Sequence, residues 1–320
     1  MKRRTILKAA IGGAVLGSGA WWIARDGLQE FSTAGIAFGT TVSLRVLHDD
    51  GRVARDALRA AMMALHDIDR LMSLYRRDSQ LSRLNRESEL HGPDPRFVEV
   101  LRAAQATSQL TGGAFDATVQ PLWDAALEQA DTQRALARVD WRKLEVADDR
   151  VRLLGRGMAV TLNGIAQGYG VDVALAALHA HGIAHALLDT GEFRTLGRRD
   201  DGAPWALAIR DPRDEKKSAH VLPADGRALA TSGDYATAFN GDYSRHHIFD
   251  PHTGQSPQEL ASVSILAPTG MQADALSTSC MVLGAARSLE LVRSLDRVDL
   301  MCIAKSGEVH RSPGFPPSLA

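Results

Sequence analysis

Residues 160–174 read VTLNGIAQGYGVDVA. Gly164, Gly168 and Gly170 lie between an apolar run and an alanine-rich run. A glycine turn that leads from a strand into a helix commonly cradles a phosphate, because the helix N-terminus presents unpaired N–H groups. The spacing here is G-x-x-x-G-x-G. It fits neither the dinucleotide pattern G-x-G-x-x-G nor the P-loop pattern G-x-x-x-x-G-K-[ST]. The stretch therefore reads as a strand, a glycine turn and a helix over about 165–181 that Gly182 stops. Whether the turn serves a phosphate, a metal or nothing is open at this point.

On the C-terminal side, AHALLD at 184–189, WALAI at 205–209, AHVLP at 219–223, ALATS at 228–232, SVSILA at 262–267 and DLMCIA at 299–304 read as strands. Helices are expected over 274–283 and 286–295. On the N-terminal side, residues 36–47 read as a strand carrying a Gly39-Thr40 turn. LEV, VRLL and MAVTL, between 144 and 162, are short β-like runs. Leu58, Met62, Leu65, Ile68 and Met72 recur at spacings of three and four, which marks an amphipathic helix over 53–74. Ser79 opens a short helical turn, 96–110 is helical up to Gly112-Gly113, and 125–143 has a polar helical pattern. Helices and strands interleave without regular βαβ spacing, so the fold class is α+β, mixed sheets with packed helices. A second lobe, if present, would be bounded near 125–145.

The chain has 320 residues, 37 basic and 38 acidic side chains and a formal net charge of -1. That balance argues against a nucleic-acid partner, which asks for a basic excess. Two cysteines, Cys280 and Cys302, form no C-x-x-C pair. A single bridge and burial as two small apolar thiols are both open, and burial is the expected state. The N-terminus, MKRRTILKAAIGGAVLGSGAWWIA, places Lys2, Arg3 and Arg4 before a short, weakly apolar stretch. This is the layout of an export signal, and the Arg pair resembles the twin-arginine type that carries folded proteins. No clean small-residue cleavage site precedes Arg25, so retention as a membrane anchor is the alternative. The chain is thus divided into an export segment over 1–30 and one domain over 31–320, with a periplasmic location. No later apolar run reaches the ~20 residues that span a bilayer.

Several stretches carry candidate chemistry. In ADALSTS (273–279), Asp274 and Thr278 are four apart and share a helix face. A carboxylate and a hydroxyl there suit a hard cation, Mg²⁺ or Ca²⁺; the bland alternative is a helix-dipole Asp with a Thr bonded back to its own helix. In TGGAFDATVQPL (111–122), two glycines bring backbone close to a ligand on which Phe115 could stack. A helix stop, a buried Phe and a capping Asp116 explain the same residues. In SRHHIFDPHTGQSP (244–257), His247 precedes a tight turn, where a loop residue can reach a ligand. A zinc site would need further ligands at regular spacing, and none is nearby. Tyr75 in MSLYRRDSQLSRLN (72–85) can offer an aromatic face, and ATSGDY (230–235) puts Ser232-Gly233 at a strand end.

Taken in order, GTT, MSLY...LSRLN, TGGAFDATVQPL, LNGIAQGYGVD, LLDTGE, ATSGDY, HHIFDPHTGQSP and ADALSTS...LG resemble the ApbE family of FAD:protein FMN transferases over about residues 36–305. The resemblance implies transfer of FMN from FAD to a threonine or serine hydroxyl of a target flavoprotein, with release of AMP and dependence on Mg²⁺. It implies a flavin-stacking Tyr75, an FAD-lining Ala114-Phe115-Asp116 and Ile248 beside the FAD. The family's methionine before the G-T turn is Phe38 here. Metal ligands fall on the Gly164 carbonyl, Asp274 and Thr278, with Ser277 able to add a carbonyl. His247 is the expected general base and Asp116 the alternative.

The family's D-L-x-x-I-A-K-G becomes TLNGIAQG, so Thr161 and Gln167 replace an acid and a lysine that bear on how FAD is gripped. The usual G-G after the next strand becomes Gly191-Glu192. These departures resemble the accessory flavin transferases of nitrous-oxide reduction, which implies an exported or membrane flavoprotein, tied to maturation of a respiratory reductase, as acceptor. An Mg²⁺-dependent FAD pyrophosphatase and a non-catalytic flavin-binding assembly factor are the competing functions.

Overall fold

The computed structural model describes residues 27–319. The export segment expected at the N-terminus falls on residues that lie, up to residue 26, outside the described ones.

β1 (Gln29–Ala37) and β2 (Thr40–His48) form an antiparallel hairpin in which Ala37 faces Thr40. Its two-residue turn is Phe38-Gly39, with φ of 54° and 75°. Two positive φ values match the twist of the flanking strands, but a Phe in that region is strained. The strand and turn expected over 36–47 are thus two strands, of which the first begins earlier. α1 (Gly51–Met72) follows. Asp50 caps it by accepting from the backbone N–H of Arg52 and Val53, and Ala54, Ala57, Leu58, Ala61, Leu65, Ile68 and Met72 line its buried face. α2 (Gln80–Glu87) starts on the Ser79 cap. Next come β3 (Glu89–His91) and α3 (Pro95–Leu110), the latter with Asp94 as cap and proline in its first turn.

The polar pattern over 125–143 is not one helix. α4 (Gln120–Glu128) stops at Gln129, which has φ 54°, and α5 (Thr132–Leu136) is a separate turn of helix. β4 (Leu144–Val146) and β5 (Arg150–Leu153) join β3 in a three-stranded sheet of order β3-β5-β4. MAVTL does not become a strand. The Asn85 side chain accepts from Val160 N–H at 2.7 Å and donates to the Val160 carbonyl at 2.8 Å, taking up groups that a ladder would need.

α6 (Ala166–Ala180) is followed by β6 (His185–Asp189), β7 (Phe193–Leu196), β8 (Ala206–Arg210), β9 (Ser218–Pro223), β10 (Ala228–Gly233), β11 (Leu260–Ala267), α7 (Gly270–Arg293), β12 (Asp299–Ala304) and β13 (Val309–Arg311). Eight strands form the main sheet in the order β1-β2-β6-β7-β10-β11-β12-β13, antiparallel throughout, while β8 and β9 pair apart. The α+β expectation holds.

α1 and α6 bury Ala54, Leu58, Leu65, Val171, Ala174 and Leu178 with Val42, Leu44, Ala186 and Leu188 of β2 and β6. α7 buries Ala273, Leu276, Cys280 and Met281 with β10, β11 and β12. The two helices expected within α7 are visible as a break at Gly284, φ 78°. Glu259 receives the Ala285 N–H there at 2.9 Å and so starts the second half. By length and composition α7 could cross a bilayer, yet 56% of its most apolar window is buried inside the fold, as expected of a core helix. Cys280 and Cys302 are both free and buried in the α7 core.

Candidate functional site

The first turns of α6 and α7 meet, and the glycine turn is what lets them. Asp172 of α6 accepts from the N–H groups of Gly270 (2.8 Å) and Met271 (3.0 Å), so α6 caps the start of α7. A Cβ at Gly168 would clash with the Gly270 carbonyl oxygen, lie 2.5 Å from its carbon and 2.7 Å from Asp274 Cβ. A Cβ at Gly164 would lie 2.8 Å from Thr278 Oγ1, and one at Gly170 would lie 2.6 Å from the Phe38 ring. Each glycine is therefore a place where another element approaches the backbone.

Around that contact the expected metal residues converge. Gly168 N–H donates to Asp274 Oδ2 at 2.9 Å. Ser277 Oγ donates to the Asp274 carbonyl at 2.9 Å. Ser232, at the end of β10, has its hydroxyl 2.7 Å from Ser277 Oγ and 3.2 Å from Thr278 Oγ1. Gly164, Asp274, Ser277 and Thr278 are thus brought together, and Ser232 joins them. Burial pushes the Asp274 carboxyl up to about 7, against the pull of the Gly168 N–H.

Glu192 was not legible in the sequence as a site residue, beyond standing where a glycine was expected. It is buried, 6% exposed, and its carboxyl is pushed well above the usual range, first by burial and then by the charge of Asp274. Its Oε2 has no hydrogen-bond partner. Among the described residues neither Glu192 nor Asp274 pairs with a lysine or arginine. Nor does any group of three His, Cys, Asp or Glu side chains there stand ready for a metal. The donor set is carboxylate, hydroxyl and backbone oxygen, which fits a hard divalent cation and not zinc.

The segments expected around the flavin are partly structural. Gly112 and Gly113, with φ of 63° and 87°, end α3. Ala114 and Phe115 are buried, and Phe115 belongs to the core cluster that includes Ile68, Met72 and Leu84. Asp116 accepts from Thr118 N–H and Thr118 hydroxyl through one oxygen, each at 2.7 Å, and from Trp141 N–H through the other at 3.0 Å. Three donors make it a clamp on this loop, although burial raises its carboxyl. Thr161 N–H donates to the Ala117 carbonyl at 2.8 Å, tying the glycine turn to the same loop. Gln167 Nε2 donates to the Thr190 carbonyl at 3.1 Å, over the turn that precedes Glu192. Tyr75 is 81% exposed at the end of α1, an aromatic face turned to solvent. Phe38 donates its N–H to Asp69 at 3.1 Å and rests its ring on Gly170.

His246 and His247 are adjacent but differ in exposure. His246 is fully buried, with Nε2 3.0 Å from the Pro257 carbonyl. His247 is partly buried, edge-on to Trp123, with Nδ1 3.3 Å from the Thr237 carbonyl. A carbonyl only accepts, so Nδ1 carries the proton and Nε2 is left as an acceptor. Burial holds this imidazole down at about 4. Ile248 packs into the α7 core beside Leu276. The following turn touches the 112–113 loop: His252 lies 3.1 Å from the Gly112 carbonyl and 3.0 Å from Asp250. No hydrogen bond among the described residues joins His247 or Tyr75 to the Asp274 cluster. A cavity of about 490 Å³ between α3, α6 and β7 contains none of the expected residues.

This fold is shared with solved flavin transferases. The flavin transferase ApbE from Vibrio cholerae superposes with a TM-score of 0.81 at 27% identity, covering 91% of this chain and 100% of that one. The ApbE protein from Thermotoga maritima does so with a TM-score of 0.80 at 26% identity, covering 90% and 98%. The ApbE family model matches residues 38–302, and the chain belongs to that family. A curated relative from Haemophilus influenzae, named FAD:protein FMN transferase, is 33% identical over 290 residues, 82% of this chain and 83% of its own length. One of the same name from Vibrio cholerae is 30% identical over 313 residues, 91% and 93% of the two chains. The chain is accordingly an enzyme of the flavin-transferase class.

Proposed function

We propose that this protein transfers FMN from FAD to a threonine or serine hydroxyl of an exported or membrane flavoprotein, releasing AMP, with Mg²⁺ required. The observation that carries the reading is the convergence of Asp274, Ser277 and Thr278 on the glycine turn in a chain of the ApbE family. These residues and the Gly164 carbonyl would hold Mg²⁺, which when bound offsets charge on the pyrophosphate and on the leaving AMP.

The acceptor oxygen forms a bond to the FMN phosphorus, the bond from that phosphorus to the AMP oxygen breaks, and the hydroxyl proton passes to His247 Nε2. An imidazole held neutral with Nδ1–H on the Thr237 carbonyl is prepared to receive it. Asp116 positions the Ala114–Thr118 loop rather than acting as the base, since its oxygens already accept three hydrogen bonds. Tyr75 presents a ring to the isoalloxazine, and Phe38, Ile248, Thr161 and Gln167 bound the FAD site. Docking of an extended acceptor segment supplies the in-line geometry, so the acceptor sequence is part of the site. The protein acts on the periplasmic side after export by its twin-arginine-like segment, and its acceptor belongs to respiratory reductase maturation.

The test is incubation of the mature protein with FAD, Mg²⁺ and a flavoprotein domain carrying an acceptor threonine, followed by intact mass measurement. A gain of one FMN moiety with matching AMP is expected. FMN and AMP formed without acceptor would instead identify a pyrophosphatase. Tight FAD binding with no AMP, even with acceptor, would identify an assembly factor.

A further inference from the structure

Glu192 heads β7, whose Phe193 faces Leu229 of β10, the strand that carries Ser232, and it has no part in the transfer described above. It follows the Thr190-Gly191 turn between β6 and β7, where Gly191 has φ 94°. The turn itself is satisfied. Gln167 donates to the Thr190 carbonyl at 3.1 Å, and Gly191 N–H donates to Asp189 at 3.1 Å. The Glu192 side chain, in contrast, is buried with Oε2 unpartnered. The backbone N–H of Thr231 pulls its carboxyl back down. Thr231 immediately precedes Ser232, whose hydroxyl touches both Ser277 and Thr278.

A buried carboxylate oxygen needs a partner. No donor among the described residues reaches that oxygen. No lysine or arginine among the described residues provides one either, and Gln167 spends its amide on a carbonyl. A cation at Asp274 would meet the need of both acids at once.

We propose that Glu192 supplies a second carboxylate to the divalent cation held at Asp274, so that this site presents two acids and loads its cation before flavin arrives. The inference rests on the cation centre assigned under the proposed function. A second anionic oxygen ligand strengthens binding of hard cations and lessens the need for the pyrophosphate as a ligand. The chain thereby takes up Mg²⁺ as a resident ion rather than as a companion of FAD.

The experiment titrates the cation-stripped full protein with Mn²⁺ in the absence of FAD and reads free Mn²⁺ by electron paramagnetic resonance. Thermal melts with and without Mg²⁺ run in parallel. The wild type is expected to bind one Mn²⁺ and to melt higher with Mg²⁺. Glu192→Gln is expected to weaken Mn²⁺ binding on the order of tenfold or more and to remove the Mg²⁺-dependent rise in melting temperature. Wild-type affinity in Glu192→Gln overturns the proposal. If Asp274→Asn loses binding in the same series, the cation centre stands and only the role of Glu192 falls. Failure of the wild type to bind Mn²⁺ without FAD also overturns it; repeating the titration with FAD then tests the centre by itself. If Glu192→Gln does not fold, Glu192→Asp keeps the charge but withdraws it by one methylene. It is expected to bind more weakly with unchanged circular dichroism, and unchanged affinity there overturns the proposal equally.

Discussion

Gly168→Ala tests whether the glycine turn exists to let two helices touch. In an ordinary helix this change stabilises by about 1 kcal/mol, because alanine has the higher helix propensity. Here the new Cβ would lie 2.5 Å from the Gly270 carbonyl carbon and 2.7 Å from Asp274 Cβ. Carbon atoms prefer about 3.5–4 Å, so α6 and α7 must part by roughly 1 Å. The nearest atoms are backbone, which cannot rotate away. Overpacking of this kind costs about 1–3 kcal/mol. Moving the helices apart also stretches the 2.9 Å bond from Gly168 N–H to the Asp274 carboxylate, and a hydrogen bond to a charged group contributes about 1.5–3 kcal/mol. The clash outweighs the propensity gain, leaving a net loss of about 2–5 kcal/mol. For a chain of this size that lowers Tm by about 3–7 °C. Calorimetry of the cation-stripped protein reads it directly. A Gly168→Ala variant that melts within about 1 °C of the wild type, or above it, refutes the packing account. Gly164→Ala is the discriminating companion. Its Cβ meets only the Thr278 side chain, at 2.8 Å from Oγ1, so it should weaken Mn²⁺ binding with a smaller loss of Tm.

Asp274→Ala should reduce FMN transfer by on the order of 100-fold or more and abolish its response to added Mg²⁺; unchanged turnover in the mass assay would remove Asp274 from the site. His247, held at about 4 by burial, stays neutral through the physiological range, so the acid limb of kcat/KM at saturating Mg²⁺ should fall near pH 4–5, and a limb near 6.5 that vanishes in His247→Gln would contradict this. The same depression makes stability pH-dependent. The unfolded imidazole takes its proton near 6.5 and the folded one only near 4, so this contribution is complete above pH 6.5 and is lost as pH falls toward 4. Urea melts at pH 5 and 7 should show a smaller difference in His247→Gln than in the wild type. Cys280 and Cys302 are free and buried, with burial pushing their thiols up to about 12 and 11; Ellman's reagent should label neither in the folded protein and both after denaturation.

Much of this molecule was legible from residue order. Periodicity at three and four spacings located α1 and α3, because a helix that packs on the core must bury one stripe, and the glycine turn with the Gly182 stop located α6. β-rich runs located β6 and β8 to β12, and the ordered motifs gave the family and the residues Gly164, Asp274, Ser277 and Thr278. What failed was local in appearance and tertiary in cause. MAVTL has the composition of a strand, but Asn85 occupies the backbone groups it would pair with. β1 was missed over its first residues because it is an edge strand with no fully buried position before Ala37. The residues around Phe115 favour a core position over a stacking ring, and the structure buries it in the cluster that α1, α2 and α3 share.

The sequence by itself determined the α+β class and the family, since these follow from period and motif order. The tertiary structure decided the meaning of the glycines and of Glu192. Gly164, Gly168 and Gly170 looked like a phosphate loop with the wrong spacing; they are contact points for Thr278, the start of α7 and Phe38. Asp274 and Glu192 are 82 residues apart in the chain (274 − 192), on a helix and at the head of a strand. Nothing along the sequence couples two carboxylates that far apart. Only the packing of α7 on β10, and of β10 beside β7, buries both acids without a lysine or arginine to pair them, and burial is what raises both carboxyls.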